Sequence, residues 1–239
     1  FHHAEYVLSE RMANNATIVD NFLKKNLKTY RAAAQKELKQ VQTFAWKTDN
    51  VKDLQPWDYS YYNRKMKEQL FKVDMEEVKQ YFELDRVLDG MFRHAERLFG
   101  IKMVETNGKY PVYHRDVKAY EVHDKKNGKL IGVFYADYFA RPGAKRGGAL
   151  MNDFRGRGLY QGKNNVPIIT NVCNFPRPAS GKPALLSMDN VRTLFHEFGH
   201  GLHGLLAEGN YPSITGTNVK WDFVELPSQL FENWIREAD

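Results

Sequence analysis

Over residues 189–206 the apolar side chains Val191, Leu194, Phe195, Phe198, Leu202 and Leu205 recur at steps of three and four. Such a stripe makes the segment a helix with one face buried, because residues three and four apart stack on the same side of an α-helix. Ser187 or Asp189 can cap its start. Set into the stripe is His196-Glu197-Phe198-Gly199-His200. On a helix His196 and His200 fall at i and i+4 on one face, where both imidazoles can reach a single ion at about 2.0–2.1 Å. Glu197 is too near His196 in sequence to complete the ligand set comfortably. It can instead take a proton from a water held at the ion.

Two histidines leave a metal site incomplete. The extended H-E-x-x-H-x-x-G-x-x-H pattern is absent, since His203 stands at its Gly position and Leu206 at its last His position. His203 shares a face with His200, but a third ligand one turn along the same helix would crowd the open coordination position. It is expected to be a packed histidine or one that supports a ligand. A carboxylate from the following helix, expected over 222–237, is the other solution. Asp222 is its expected N-cap, and Pro227 is tolerated near a helix start. Glu225, Glu232 and Glu237 all lie on it. Glu225 is preferred as the acid nearest the helix N-terminus, with Gln229 one turn on to steady it, while Glu232 and Glu237 remain rivals.

The rest of the chain reads as mainly α with a small β-sheet, an α+β class. A helix is expected over 15–44, with Val19, Phe22, Leu23 and Leu27 near helical spacing. Gln55-Pro56-Trp57-Asp58 marks a break, with Asp58 as N-cap for a helix over 59–71. A further helix over 84–98 stops at Phe99-Gly100. From Ile101 the pattern turns to strands. Asn127-Gly128 is read as a type I′ turn joining strands over 117–123 and 130–138, and further strands are expected over 147–151 and 166–174. Residues 1–100 are thus expected to form a helical segment, and residues 101–239 a small sheet followed by the metal-binding helices.

Composition narrows the classes. No apolar run approaches the roughly 20 residues of a membrane span, and no signal peptide is visible at Phe1-His2-His3. The chain lacks an initiator Met and ends within a helical pattern, so it is read as a piece of a longer protein. The single cysteine, Cys173, lies in an apolar stretch and reads as a buried structural thiol. It favours a cytoplasmic over a periplasmic setting. The net charge of +6 is uneven: residues 101–180 carry 14 Lys/Arg against 6 Asp/Glu, and residues 181–239 carry 4 against 8. A basic middle serves nucleic acid, a carboxylate-gripping site or plain solvation, and nucleic acid is the weakest of the three. Arg141, Lys145 and Arg146 are the basic side chains that could attract a peptide carboxylate, with surface solvation the simpler role for each. Oligomeric state leaves no signal.

The run His-Glu-Phe-Gly-His-Gly-Leu-His-Gly at 196–204 is followed by Gly216-Thr217-Asn218 and by Phe223-Val224-Glu225-Leu226-Pro227-Ser228-Gln229. Together they resemble the thimet oligopeptidase and peptidyl-dipeptidase Dcp family of zinc metallopeptidases. Upstream, Asp137-Tyr138-Phe139-Ala140-Arg141 with Lys145 and Gly148-Ala149, and Asn171-Val172-Cys173-Asn174-Phe175, are similar to the family's segments as well. Distinctive motifs run from about residue 134 to the end, and the Leu-His-Gly ending leans towards the bacterial peptidyl-dipeptidases. The resemblance implies the zincin-like catalytic core of a helix-rich, two-lobed peptidase. It makes His196, His200 and Glu225 the ligands of one zinc ion and Glu197 the general base. Short peptides are the implied substrates, cleaved internally or trimmed of C-terminal dipeptides. The family also carries a Gly-rich loop with a His and several Tyr, C-terminal to the zinc helices, which stabilises the tetrahedral intermediate; no such loop occurs before Asp239. The alternative implied is a zinc-binding chain without turnover.

Overall fold

In the computed structural model, which describes residues 3–237, Asn15 opens the longest helix, α1 (Ala16–Asp49). Its Oδ1 accepts from the Ile18 N–H at 2.9 Å, satisfying one of the free donors at the helix start. The helix runs past the expected end at 44, since nothing in Ala45-Trp46-Lys47-Thr48-Asp49 breaks it, and stops where Asn50 turns left-handed. Phe22, Leu23 and Leu27 stay more than half exposed. Burial falls instead at Val41 and Ala45, which pack with Tyr62 of α2 (Tyr59–Phe71). Asp58 does not cap α2 as expected: its Oδ2 accepts from the Gln55 N–H at 3.2 Å, closing the turn before the helix. A short α3 (Met75–Lys79) follows, with Asp74 Oδ1 accepting from the Glu76 N–H.

The chain forms two compact units whose boundary in sequence lies between Val78 and Lys79. The second begins with α4 (Leu84–Phe99), ended as expected by Gly100. A five-stranded mixed sheet follows: β1 (Ile101–Glu105), β2 (Lys118–Asp124), β3 (Leu130–Phe139), β4 (Leu150–Arg155) and β7 (Ile168–Phe175), in the order β1-β2-β3-β7-β4. β3 and β7 run parallel and the other pairs antiparallel. The β2–β3 connection is not a type I′ turn. Asn127 keeps a negative φ, Gly128 alone turns positive (72°), and the Asp124 Oδ1 accepts from the Lys126 and Asn127 N–H groups. The loop is therefore longer than two residues, closing between the Asp124 N–H and the Lys129 carbonyl. β5 (Gly158–Tyr160) and β6 (Lys163–Asn165) form a separate two-stranded hairpin.

Alternation on β3 and β7 sends Phe134, Ala136, Tyr138, Ile169, Cys173 and Phe175 into one core. There they meet Leu88 and Met91 of α4 and Leu194, Phe198 and Leu205 of α5 (Met188–Leu206). Cys173 is fully buried in this core, as expected, and burial pushes its thiol up to about 12. Of the two expected caps for α5, Ser187 is the one used. Its Oγ accepts from the Asn190 N–H, while the Asn190 Oδ1 accepts from the Ser187 N–H.

The last helix, α6, spans Glu225–Glu232 and continues as a 3-10 turn over Asn233–Arg236. It is shorter than the expected 222–237, and Asp222 is not its cap. Phe223 and Val224 instead donate their N–H groups to the Lys220 carbonyl in a preceding turn. Ala238 and Asp239, over which the sequence pattern stays helical, lie outside the described residues. Among the described residues, no helix is long and apolar enough to cross a membrane. The architecture is α+β, helix-rich with one small mixed sheet.

Candidate metal centre

The apolar stripe of α5 seats it on the sheet and turns His196, Glu197 and His200 towards α6. Gly204 packs closely against the sheet: a Cβ there would stand 2.7 Å from Ile169 Cδ1 and 2.8 Å from Met151 Cε, the ends of two side chains. His196 and His200 place their rings 4.9 Å apart, nearly perpendicular. Glu225, at the first position of α6, brings Oε2 to 3.2 Å from His196 Nε2 and 3.1 Å from His200 Nε2. One ligand atom from each of the three residues lies within 4.8 Å of the other two, a separation that a single ion can bridge. Two imidazole nitrogens and a carboxylate oxygen are donors that suit a divalent metal such as zinc.

Ser228 steadies Glu225. Its fully buried hydroxyl lies 2.9 Å from both the Glu225 carbonyl and Glu225 Oε2. Gln229, expected in that role, is exposed. The rivals separate as well. Glu232 turns to the far side of His196, with Oε1 2.7 Å from Nδ1. Glu237 lies beyond the last helical turn, outside the ligand group. His203 also stays out of that group: it is half-buried, and its Nδ1 has no hydrogen-bond partner among the described residues.

His196, Glu197, His200 and Glu225 line one cavity of about 380 Å³ with Ala149, Leu150, Met151, Thr217, Trp221 and Val224. Glu197 is only 6% exposed. Burial raises its carboxyl pKa; the neighbouring His196 lowers it and Glu225 raises it, and the net shift is upward. Burial also lowers the His200 pKa, favouring the neutral ring that a metal needs.

Arg141 and Lys145, read as candidate carboxylate grips, are engaged internally. Arg141 forms a two-pronged pair with Asp137, at 2.8 and 2.6 Å. Lys145 Nζ, its side chain 7% exposed, reaches Asp137 Oδ1 and the carbonyls of Asp137, Phe139 and Cys173. This knot ties the loop before β4 to the ends of β3 and β7. Of the three basic side chains, Arg146 alone stays exposed.

Ser228 and Gly199 carry site roles that the sequence did not assign them, and Glu232, a rival third ligand by sequence, lies instead against His196 Nδ1. The signal for Glu232 was its spacing: seven residues after Glu225, two turns along the same face.

Residues 1–239 match the family described as Peptidase family M3. The chain is 42% identical over 234 residues to the dipeptidyl carboxypeptidase of Escherichia coli (strain K12), covering 98% of this chain and 34% of that protein. Oligopeptidase A of the same organism is also 42% identical over 234 residues, covering 97% of this chain and 34% of the relative. Saccharolysin of Saccharomyces cerevisiae is 34% identical over 250 residues, again with 97% and 34% covered. The chain therefore spans 34% of the length of each of these curated relatives. Similarity over nearly its whole length, together with the family match from first residue to last, places it plainly: the chain belongs to peptidase family M3.

Proposed function

We propose that this chain hydrolyses peptide bonds in short peptides, with His196, His200 and Glu225 holding one zinc ion and Glu197 acting as general base. The observation that carries the reading is the convergence of the three donor atoms within 4.8 Å, beside the buried Glu197, in one cavity. When bound, zinc supplies Lewis acidity that polarises a peptide carbonyl and brings the pKa of water to about 7. Glu197 accepts the proton from the attacking water and passes it to the leaving amine. Its dry setting makes its carboxylate a stronger base than an exposed one. β4 is an edge strand, bonded on one side to β7, and its Leu150 and Met151 line the cavity. An extended peptide can add to that free edge by main-chain pairing, which holds a scissile bond beside the metal ligands.

Two product classes follow from the relatives' names, one a dipeptidyl carboxypeptidase and the other an oligopeptidase. Dipeptide release calls for a cation near the peptide C-terminus, and Arg146 is the exposed candidate. The buried Cys173, unpaired in the chain, accords with a reducing compartment, and the cytoplasm is proposed. The test is metal content by mass spectrometry, paired with cleavage of a quenched fluorescent peptide with and without chelator. One zinc per chain with chelator-sensitive cleavage is expected, and product masses separate dipeptide release from internal cuts. One zinc without cleavage would favour a metal-binding chain without turnover. No zinc after reconstitution would overturn the ligand set.

A further inference from the structure

Glu232 is the last residue of α6, and its two carboxylate oxygens are divided between two partners on α5. Oε1 lies 2.7 Å from His196 Nδ1, and Oε2 accepts from Arg192 Nε at 3.0 Å. Arg192 and His196 are four residues apart, so a single carboxylate spans one turn of α5. The Glu232 side chain is 18% exposed, which shelters these bonds from competing water. A neutral imidazole carries one proton and one lone pair, and a partner that accepts at Nδ1 assigns the proton there. The lone pair is then left on Nε2, the nitrogen facing Glu225 Oε2.

We infer that Glu232, itself held by Arg192, is a positioning residue that fixes the ring orientation and tautomer of His196 for metal binding. The inference rests on His196 being a ligand in the proposed zinc site. It also gives a physical reason why Glu232 is not itself the third ligand: it approaches the nitrogen that faces away from His200 and Glu225. Arg192, which lines no part of the cavity, acquires a role through Glu232.

The test measures zinc affinity of the full chain by competition with a fluorescent chelator, alongside thermal unfolding of the metal-free protein. Glu232→Ala is expected to lose about 10–100-fold in zinc affinity while the metal-free protein melts near wild type. Glu232→Gln, which keeps a neutral acceptor for Nδ1, should recover part of that loss, and Arg192→Met should lose less than Glu232→Ala. A carboxylate serving only helix packing would lower the melting temperature of the metal-free protein and leave zinc affinity unchanged. Wild-type affinity in Glu232→Ala, with affinity abolished in His196→Ala, overturns this inference and leaves the ligand set standing. Wild-type affinity in His196→Ala overturns both. Should Glu232→Ala fail to fold, wild-type affinity in both Glu232→Gln and Arg192→Met overturns the inference.

Discussion

Gly199 of α5 and Ser228 of α6 approach so closely that a Cβ on Gly199 would stand 2.7 Å from Ser228 Cα. The same Cβ would meet the Pro227 carbonyl and Phe231 Cβ at 3.0 Å. Backbone lies on that side, so no flexible side chain can give way. The absence of a side chain at position 199 is what lets α6 bring Glu225 up to the two histidines.

Gly199→Ala should therefore push the two helices apart. Overpacking of this kind costs about 1–3 kcal/mol, and urea unfolding of the metal-free protein measures it. Zinc affinity should fall together with stability, because Glu225 moves with α6. A variant that loses stability but binds zinc as wild type would separate helix packing from ligand placement.

Ser228→Ala removes the hydroxyl beside the Glu225 carboxylate without changing the helix. The lost hydrogen bond is worth about 1 kcal/mol, since water can reach the half-exposed Glu225. Zinc affinity is expected to fall about tenfold, read by chelator competition. Unchanged affinity would mean that Glu225 holds its position without Ser228.

Asp137 couples stability to acid. Burial raises its carboxyl pKa, but hydrogen bonds from Arg141, Tyr113 and Lys145 outweigh burial and leave it below the usual range. A depressed folded value contributes stability that is fully present above the unfolded pKa, about 3.9. That stability is lost as pH falls through the folded value. Urea midpoints should thus hold on descending to about pH 4 and fall below it. Glu121, held down to about 2 by Lys109, Tyr110 and His123 against the effect of burial, adds to the same acid limb. Asp137→Asn should cost about 3–5 kcal/mol at pH 7, because it leaves the buried Lys145 without its counter-charge. It should also flatten the acid limb. An unchanged limb in Asp137→Asn would assign the acid sensitivity elsewhere.

What could be read from sequence depended on the range of the physics involved. α5 was legible almost to the residue, because its stripe, its Ser187 cap and its two histidines all repeat at helical spacing. The stop at Gly100 was legible for the same local reason. β5 and β6 were not, since three-residue strands such as Lys163–Asn165 are too short to show alternation. The apolar residues early in α1 predicted a helix correctly but not its burial, which depends on what lies opposite them. Within the site, the paired histidines were a local pattern. The division of labour between Glu225 and Glu232 was not, because it is set by how closely α6 crosses α5, and that distance follows from Gly199.

The most direct test of the central claim is Glu197→Gln, assayed for bound zinc and for turnover of the fluorescent peptide in the same preparation. Glu197 lines the cavity of the three proposed ligands without being one of them. The variant should therefore hold zinc at the wild-type ratio while turnover falls at least about 100-fold, the scale of a lost general base. Full zinc with turnover reduced less than about tenfold would contradict the role given to Glu197.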